Sequence, residues 1–337
     1  MVIVGAGASF DSVHFRPVEE FTIHSYPYRP PLANQLFDDR PYFGQTIDDL
    51  PQCRPLAQRL RRLPTGVSLE QELDSLFGEA ADYAPLRRQF TAMRFYLQRV
   101  LWVCGNEWLK QANFVTNYVG LLDTIDRWRS RRKIDVCFVS FNYDLMLEAA
   151  FAEIGVTFNA FDDYVTGPYY LIKPHGSVNW ARRVHHIRSE PPKSIETMLI
   201  EQIDNITITK EFVHMGASPS SGSTAQPLFP AIGVPLAKKL DFELPESHLD
   251  VLKSLVPQVS HLLTIGWRGT EESFLNLFRE ARQPKPHFGL VVSGSRDGAE
   301  EAAANMTRFG LAPAALSGHT FSSFVRSDEF EKFLRLD

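Results

Sequence analysis

The chain has 337 residues, of which 44% are hydrophobic and 22% charged. This balance excludes bulk disorder, collagen-like repeats and a coiled coil, and the length suits one large α/β domain or two modest ones. The formal net charge of -5 leaves no basic footprint over the whole protein, so direct nucleic-acid binding is not expected. The wide spacing of Cys53, Cys104 and Cys137 forms neither a disulfide framework nor a zinc ribbon, and no metal is expected. The chain opens on Met1-Val2-Ile3-Val4-Gly5, with no basic-then-apolar leader and no membrane-length apolar run downstream. A cytoplasmic protein without membrane contact is the expectation.

Residues 2–4 read as a short buried strand stopped by Gly5-Ala6-Gly7-Ala8-Ser9. Pro17, Pro27, Pro30 and Pro31 leave 11–31 irregular, and 32–37 read as one or two helical turns. Ser68 with Gln71 three residues on predicts a helix start with a capping box. From there to about residue 132 apolar residues recur at three- and four-residue steps, with Pro85 the strong breaker. That spacing predicts three or more amphipathic helices in a helical module. Strands are predicted at 134–140, 169–172, 206–209, 262–265 and 288–292, separated in several places by helical patterns at 145–151, 273–281 and 299–309. Such alternation predicts an α/β fold with a mostly parallel sheet. Residues 216–226 read as a mobile loop, and 229–235 as a pocket wall or a proline-rich cover over apolar surface.

Four segments at strand ends carry the candidate chemistry. The Gly5-Ala6-Gly7 turn lets backbone amides approach a phosphate, or serves as a tight structural turn. Phe10 stands where a dehydrogenase fingerprint needs its third glycine, which disfavours a dehydrogenase. In Ser140-Phe141-Asn142-Tyr143-Asp144, Asn142 offers donor and acceptor and Asp144 could hold ribose hydroxyls; both residues suit helix capping equally well. In Lys173-Pro174-His175-Gly176-Ser177, the histidine is a general-base candidate placed beside a sharp turn. In Ile265-Gly266-Trp267-Arg268-Gly269, Arg268 is either a phosphate ligand or a solvated loop arginine. His185 and His186 are adjacent and unaccompanied, so they are not read as metal ligands. The basic run 127–133 fits a helix C-terminus, with a partner surface as the alternative.

Taken in order, GAGAS, FNYD, KPHGS and IGWRG resemble the Sir2-like family, whose members carry GAGxS, a TxNxD-type segment, KxHG and a later glycine loop. The resemblance covers roughly residues 1–295. It implies a Rossmann-like, mostly parallel sheet with helices on both faces and a helical insertion module. The chain would then be a single domain over 1–337, with 1–44 and 133–337 forming the NAD-binding core and 45–132 the helical module. The resemblance puts the catalytic pair on Asn142 and His175. It puts the NAD contacts on Gly5, Ala6, Gly7, Ala8, Ser9, Asp11, Asp144, Gly176, Ser177, Gly266, Trp267, Arg268, Ser293 and Ser295. The four-cysteine zinc ribbon of the deacylases is missing, and Phe15 and Arg16 are poor matches to their GIPDFR segment. The helical module and GAGASFDS resemble instead a zinc-free branch found in prokaryotic antiviral defence, which degrades NAD.

That branch implies an NAD+ hydrolase, with NAD as substrate and no metal. Cleavage passes through an oxocarbenium-like ribose, so the protein need mainly position the ribose and activate water. It further implies an effector held silent until a separate sensor of the helicase-like ATPase or Argonaute type, or homo-oligomerisation, releases it, because the chain is little more than the effector. A silent NAD- or ADP-ribose-binding scaffold and a zinc-free deacylase or ADP-ribosyltransferase stand as alternatives.

Overall fold

Val2, Ile3 and Val4 form β1 (Val2–Val4), three residues long and buried throughout. A strand this short is held by neighbours on both sides and by its apolar side chains. The structure, a computed structural model, describes residues 1–12, 26–64, 66–188, 190, 193–216, 227–236, 242–281 and 286–336. Phe15, Arg16 and all but the first residue of the 216–226 loop lie outside the described residues.

After β1 comes a short helix, α1 (Ala6–Phe10), and then a helical stretch: α2 (Pro41–Asp49), α3 (Arg54–Arg61), α4 (Leu69–Ala80), α5 (Ala84–Gln111) and α6 (Asn117–Arg132). Proline stands in the first turn of α2, α3 and α5, where its missing N–H costs no helical bond. Pro85 therefore starts α5 rather than breaking it. Ser68 caps α4 by accepting from Gln71 N, while its hydroxyl donates to Glu70. Fifteen of the 28 residues of α5 are buried, which makes it the axis of the helical stretch. The basic run closes α6 and is tied to its own neighbours. Arg127 pairs with Asp123 at 2.8 Å, Arg129 with Asp126 at 3.3 Å, and the Arg129 guanidinium lies over the Tyr169 ring.

Next follow β2 (Val136–Ser140), α7 (Met146–Glu153), β3 (Tyr169–Ile172), β4 (Gly176–His185), α8 (Ile195–Glu201), β5 (Thr207–His214), β6 (Leu228–Ile232) and α9 (Glu246–Leu255). The chain ends with β7 (His261–Ile265), α10 (Glu272–Glu280), β8 (Phe288–Val292), α11 (Arg296–Arg308), β9 (Ala315–Leu316), α12 (Phe321–Phe324) and α13 (Asp328–Leu334).

One sheet has six strands in the order β3-β2-β1-β7-β8-β9, and every pairing in it is parallel. In chain order that is 3-2-1-4-5-6, the Rossmann arrangement. It confirms the expected α/β class. A second sheet, β5-β4-β6, is antiparallel. Two predictions change here. The 206–209 strand belongs to this separate sheet, paired with β4, and not to the parallel one. Residues 228–232 of the proline-rich segment form a buried strand, β6, instead of a loop.

Buried apolar residues form two clusters. One surrounds the parallel sheet and takes in α6, α7, α10 and α11. The other runs from Leu36 through α5 as far as Cys104 and includes Val178, Val184, Phe229 and Ile232 of the small sheet. The helical stretch thus packs on the antiparallel sheet, and the C-terminal end of α5, at Trp108 and Leu109, enters the first cluster.

Candidate active site

In the parallel sheet the strand order reverses between β1 and β7, and the crevice of such a sheet opens outside the carboxyl ends of those two strands. The two glycine loops meet there. Gly5 N donates to Ile265 O at 3.0 Å and Gly7 N to Gly266 O at 3.1 Å. Gly266 has φ +59°, and a Cβ on it would lie 2.3 Å from Ala8 N; a Cβ on Gly5 would lie 2.6 Å from Gly266 O. The glycines are needed because two backbones cross with no room between them. The amides of Gly5, Gly7 and Ala8 are already bonded within the protein.

Ser9, at the end of this loop, faces the end of β2. Asn142 Nδ2 donates to Ser9 Oγ at 2.9 Å and to Tyr118 OH at 3.2 Å, and those two hydroxyls are 3.0 Å apart. Burial drives the Tyr118 phenol far above its ordinary range, and Asp144 adds to this, so it stays a neutral hydroxyl. With both Nδ2 protons held, Asn142 Oδ1 is buried and accepts no hydrogen bond from the described residues. It is a directed acceptor for an incoming O–H.

The neighbours of Asn142 place the histidine. The His175 ring is 4.9 Å from the Phe141 ring and 6.0 Å from the Tyr143 ring. Phe141 stacks on Trp267 at 5.4 Å, nearly parallel, so Trp267 closes the aromatic group from the β7 side. The turn carrying His175 is fastened on two sides, by Gly233 N to His175 O and Glu243 N to Pro174 O, both 2.8 Å. Gly176 has φ +80°, and a Cβ there would meet Ala231 O at 1.9 Å. Behind the turn, buried Lys173 donates to Asp144 O at 2.6 Å and Glu148 Oε1 at 2.7 Å. Burial raises the Glu148 carboxyl, and Lys173 opposes that rise.

The structure thus brings Ser9, Asn142, His175, Gly266 and Trp267 into one group. Others of the sequence-derived set have different partners. Asp11 Oδ2 accepts from Ser322 N at 2.8 Å and so anchors α12. Asp144 Oδ1 accepts from Met146 N, the first residue of α7, at 3.0 Å. Ser177 is fully buried beneath Tyr143 O. Arg268 is exposed and reaches Glu70 of α4 at 3.5 Å. Ser295 caps α11 through Gly298 N at 3.1 Å, and Ser293 lies at the end of β8, beyond β7. Ala6 is exposed to solvent at the start of α1. Sequence reasoning passed over Tyr118, Phe141, Tyr143 and Lys173. Tyr118 carries only the helical periodicity of a core residue, which gives no sign of its hydroxyl's partner. Among the described residues no group of three or more His, Cys, Asp or Glu side chains is placed to hold a metal ion, and all three cysteines are buried with thiols pushed up to about 12.

No protein-family model matches the chain, and no curated protein matches it. Similar solved structures include a Sir2 homologue in complex with NAD, at 13% identity over 99% of this chain and 88% of that one, with a TM-score of 0.41. A mutant Sir2 homologue with ADP-ribose matches at 12% identity over 99% and 90%, with a TM-score of 0.38. A structure on the basis of sirtuin substrate affinity matches at 13% identity over 96% and 90%, with a TM-score of 0.36. At such values the likeness says nothing of residues or ligands. What the chain's own strand order and site define is a Rossmann-like α/β protein with an Asn–His group at its switch point.

Proposed function

We propose that the protein is an NAD+ glycohydrolase that cleaves the bond between nicotinamide and ribose. The observation that carries this reading is the buried, unpartnered Asn142 Oδ1 beside His175, at the switch point where a parallel sheet receives a dinucleotide. In this reading the two glycine loops and Trp267 flank the bound dinucleotide. Asn142 Oδ1 accepts from a ribose hydroxyl or from the attacking water. His175 takes the proton of that water as its oxygen bonds to the ribose C1′. The glycosidic electron pair leaves with nicotinamide, whose ring charge is thereby neutralised. Water and NAD+ become ADP-ribose, nicotinamide and a proton, with no metal in the balance.

The same site supports a silent resting state. Ser9, Asn142 and His175 are 1%, 5% and 8% exposed, so a dinucleotide reaches them only after neighbouring segments shift. In this reading, as the resemblance to the zinc-free branch implies, the chain is an effector of antiphage defence activated by a separate sensor or by self-assembly. The test is nicotinamide release from NAD+ by the purified protein, read beside Asn142→Ala and His175→Ala. Release by the parent, lost in both folded variants, is expected. Normal turnover by either variant overturns the assignment, and a protein that binds NAD+ but never cleaves it in any assembly state is a scaffold.

A further inference from the structure

A cavity of about 430 Å³ lies between the helical stretch and the antiparallel sheet, within the usual size of small-molecule sites. None of the residues given above to the Asn142–His175 group lines it. Its walls are apolar, with Phe77 and Phe90 from α4 and α5, Ile208 from β5 and Phe229 from β6. Phe77 meets Phe90 edge-on at 5.3 Å and is 45% exposed, so its ring is open to a ligand in the cavity.

Charge among the described lining residues is unbalanced. Among its described lining residues are Arg87, Arg94, Arg182 and Glu243. Arg87 is committed elsewhere, to Asp204 at 2.6 Å and to the carbonyls of Ala80 and Ala81. That leaves one carboxylate, Glu243, between two guanidiniums. Arg94 Nη1 donates to Ile232 O at 2.8 Å and is 3.3 Å from Glu243 Oε2, and Arg182 Nε is 2.6 Å from Glu243 Oε1. The second contact is close but badly directed, and both of its atoms are buried with no true hydrogen bond. Among the described residues one carboxylate stands against these two arginines, which leaves a positive charge on planar groups suited to carboxylate recognition.

We propose that this cavity binds a small amphipathic carboxylate, its alkyl or aryl body among Phe77, Phe90 and Phe229 and its carboxylate on Arg94 and Arg182. The apolar walls exclude a highly polar anion such as free phosphate, whose remaining oxygens would have no partners. The surplus guanidinium excludes a cation. Glu243 competes with the ligand for the same two arginines, so the site is self-occluded at rest.

The experiment is calorimetric titration of the full chain with decanoate, decanol and decylammonium, each below its micelle concentration. Saturable one-to-one binding of decanoate is expected, with decanol and decylammonium at least about tenfold weaker. Arg182→Gln and Phe77→Ala weaken decanoate, and Glu243→Gln tightens it because the competing carboxylate is gone. Melting curves of each variant establish that it is folded; Phe77→Ala, at an exposed position, keeps the test open should Arg182→Gln not fold. Equal binding of decanoate and decanol, preference for the cation, no binding at all, or a Glu243→Gln variant weakened like Arg182→Gln overturns the inference. The readout involves no NAD, so its failure is separate from failure of the proposed activity.

Discussion

In the proposed reaction Asn142 acts through the different treatment of its two ends. Nδ2 is held by Ser9 and Tyr118, while Oδ1 is left with the cost of a buried acceptor, about 1–3 kcal/mol. Tyr118→Phe removes one of the two holds and keeps the ring against Phe321 at 5.3 Å. The expected outcome is a fold retained by melting curve and nicotinamide release reduced about tenfold in kcat with a smaller change in KM; unchanged kcat would remove Tyr118 from the positioning of Asn142. At this scale the sequence was only half legible. Asn142 and His175 announced themselves by following apolar strands. The hydroxyl of Tyr118 did not, since its partner is 24 residues away on another element. Gly5 and Gly7 were visible as a turn, but the reason for them was not. It is the Gly266 backbone, some 260 residues on, that leaves no space for a side chain.

Between elements, the Lys173–Glu148 pair joins the end of β3 to α7 and holds the Asp144 carbonyl in the turn that follows Asn142. Lys173 is fully buried and the Glu148 side chain is 12% exposed, so removing one leaves a largely desolvated charge, at a cost of about 3–5 kcal/mol, whereas replacing both with apolar groups is often neutral. Lys173→Met alone is therefore expected to be strongly destabilised in denaturant unfolding, and Lys173→Met with Glu148→Leu to regain most of that stability. Activity is expected to stay low in the double variant, because the bond to Asp144 O is still missing; recovery of both together would make the pair purely structural. The strands of the parallel sheet, such as β2 and β8, were readable because burial on both faces makes them continuous apolar runs. β4 escaped notice because Asn179, Arg182 and Arg183 interrupt its pattern. Those polar residues face groups that only the tertiary structure supplies, with Arg182 at Glu243, Arg183 at Glu211 and Asn179 at His214.

Across the molecule, the antiparallel sheet is joined to the parallel one through a buried polar and aromatic group, and this joint predicts how stability depends on pH. His248 is fully buried, with rings of Phe161, Tyr164 and Trp180 within 5.8 Å and Nε2 donating to Phe161 O at 2.9 Å. Desolvation lowers it from 6.5 to about 4, against smaller upward pulls from the Phe161 bond and Asp162. His214 is lowered as well, by burial first and Lys173 in part, with Asp163 opposing. A folded-state pKa below the unfolded one means that the unfolded chain binds the proton first, so stability falls as pH drops from 6.5 towards 4. Glu148 has the opposite sign, since its raised carboxyl is more easily protonated in the folded state, and it offsets part of the loss. His248→Phe keeps an aromatic ring in place and removes the titration. It is expected to be less stable than the parent near neutrality by about 1 kcal/mol, the worth of the lost hydrogen bond. Its further loss between pH 7.5 and pH 4.5 should be smaller than the parent's by on the order of 2–3 kcal/mol. Urea unfolding at the two pH values measures both quantities, and parallel curves for parent and variant would mean that His248 already takes up its proton in the folded protein.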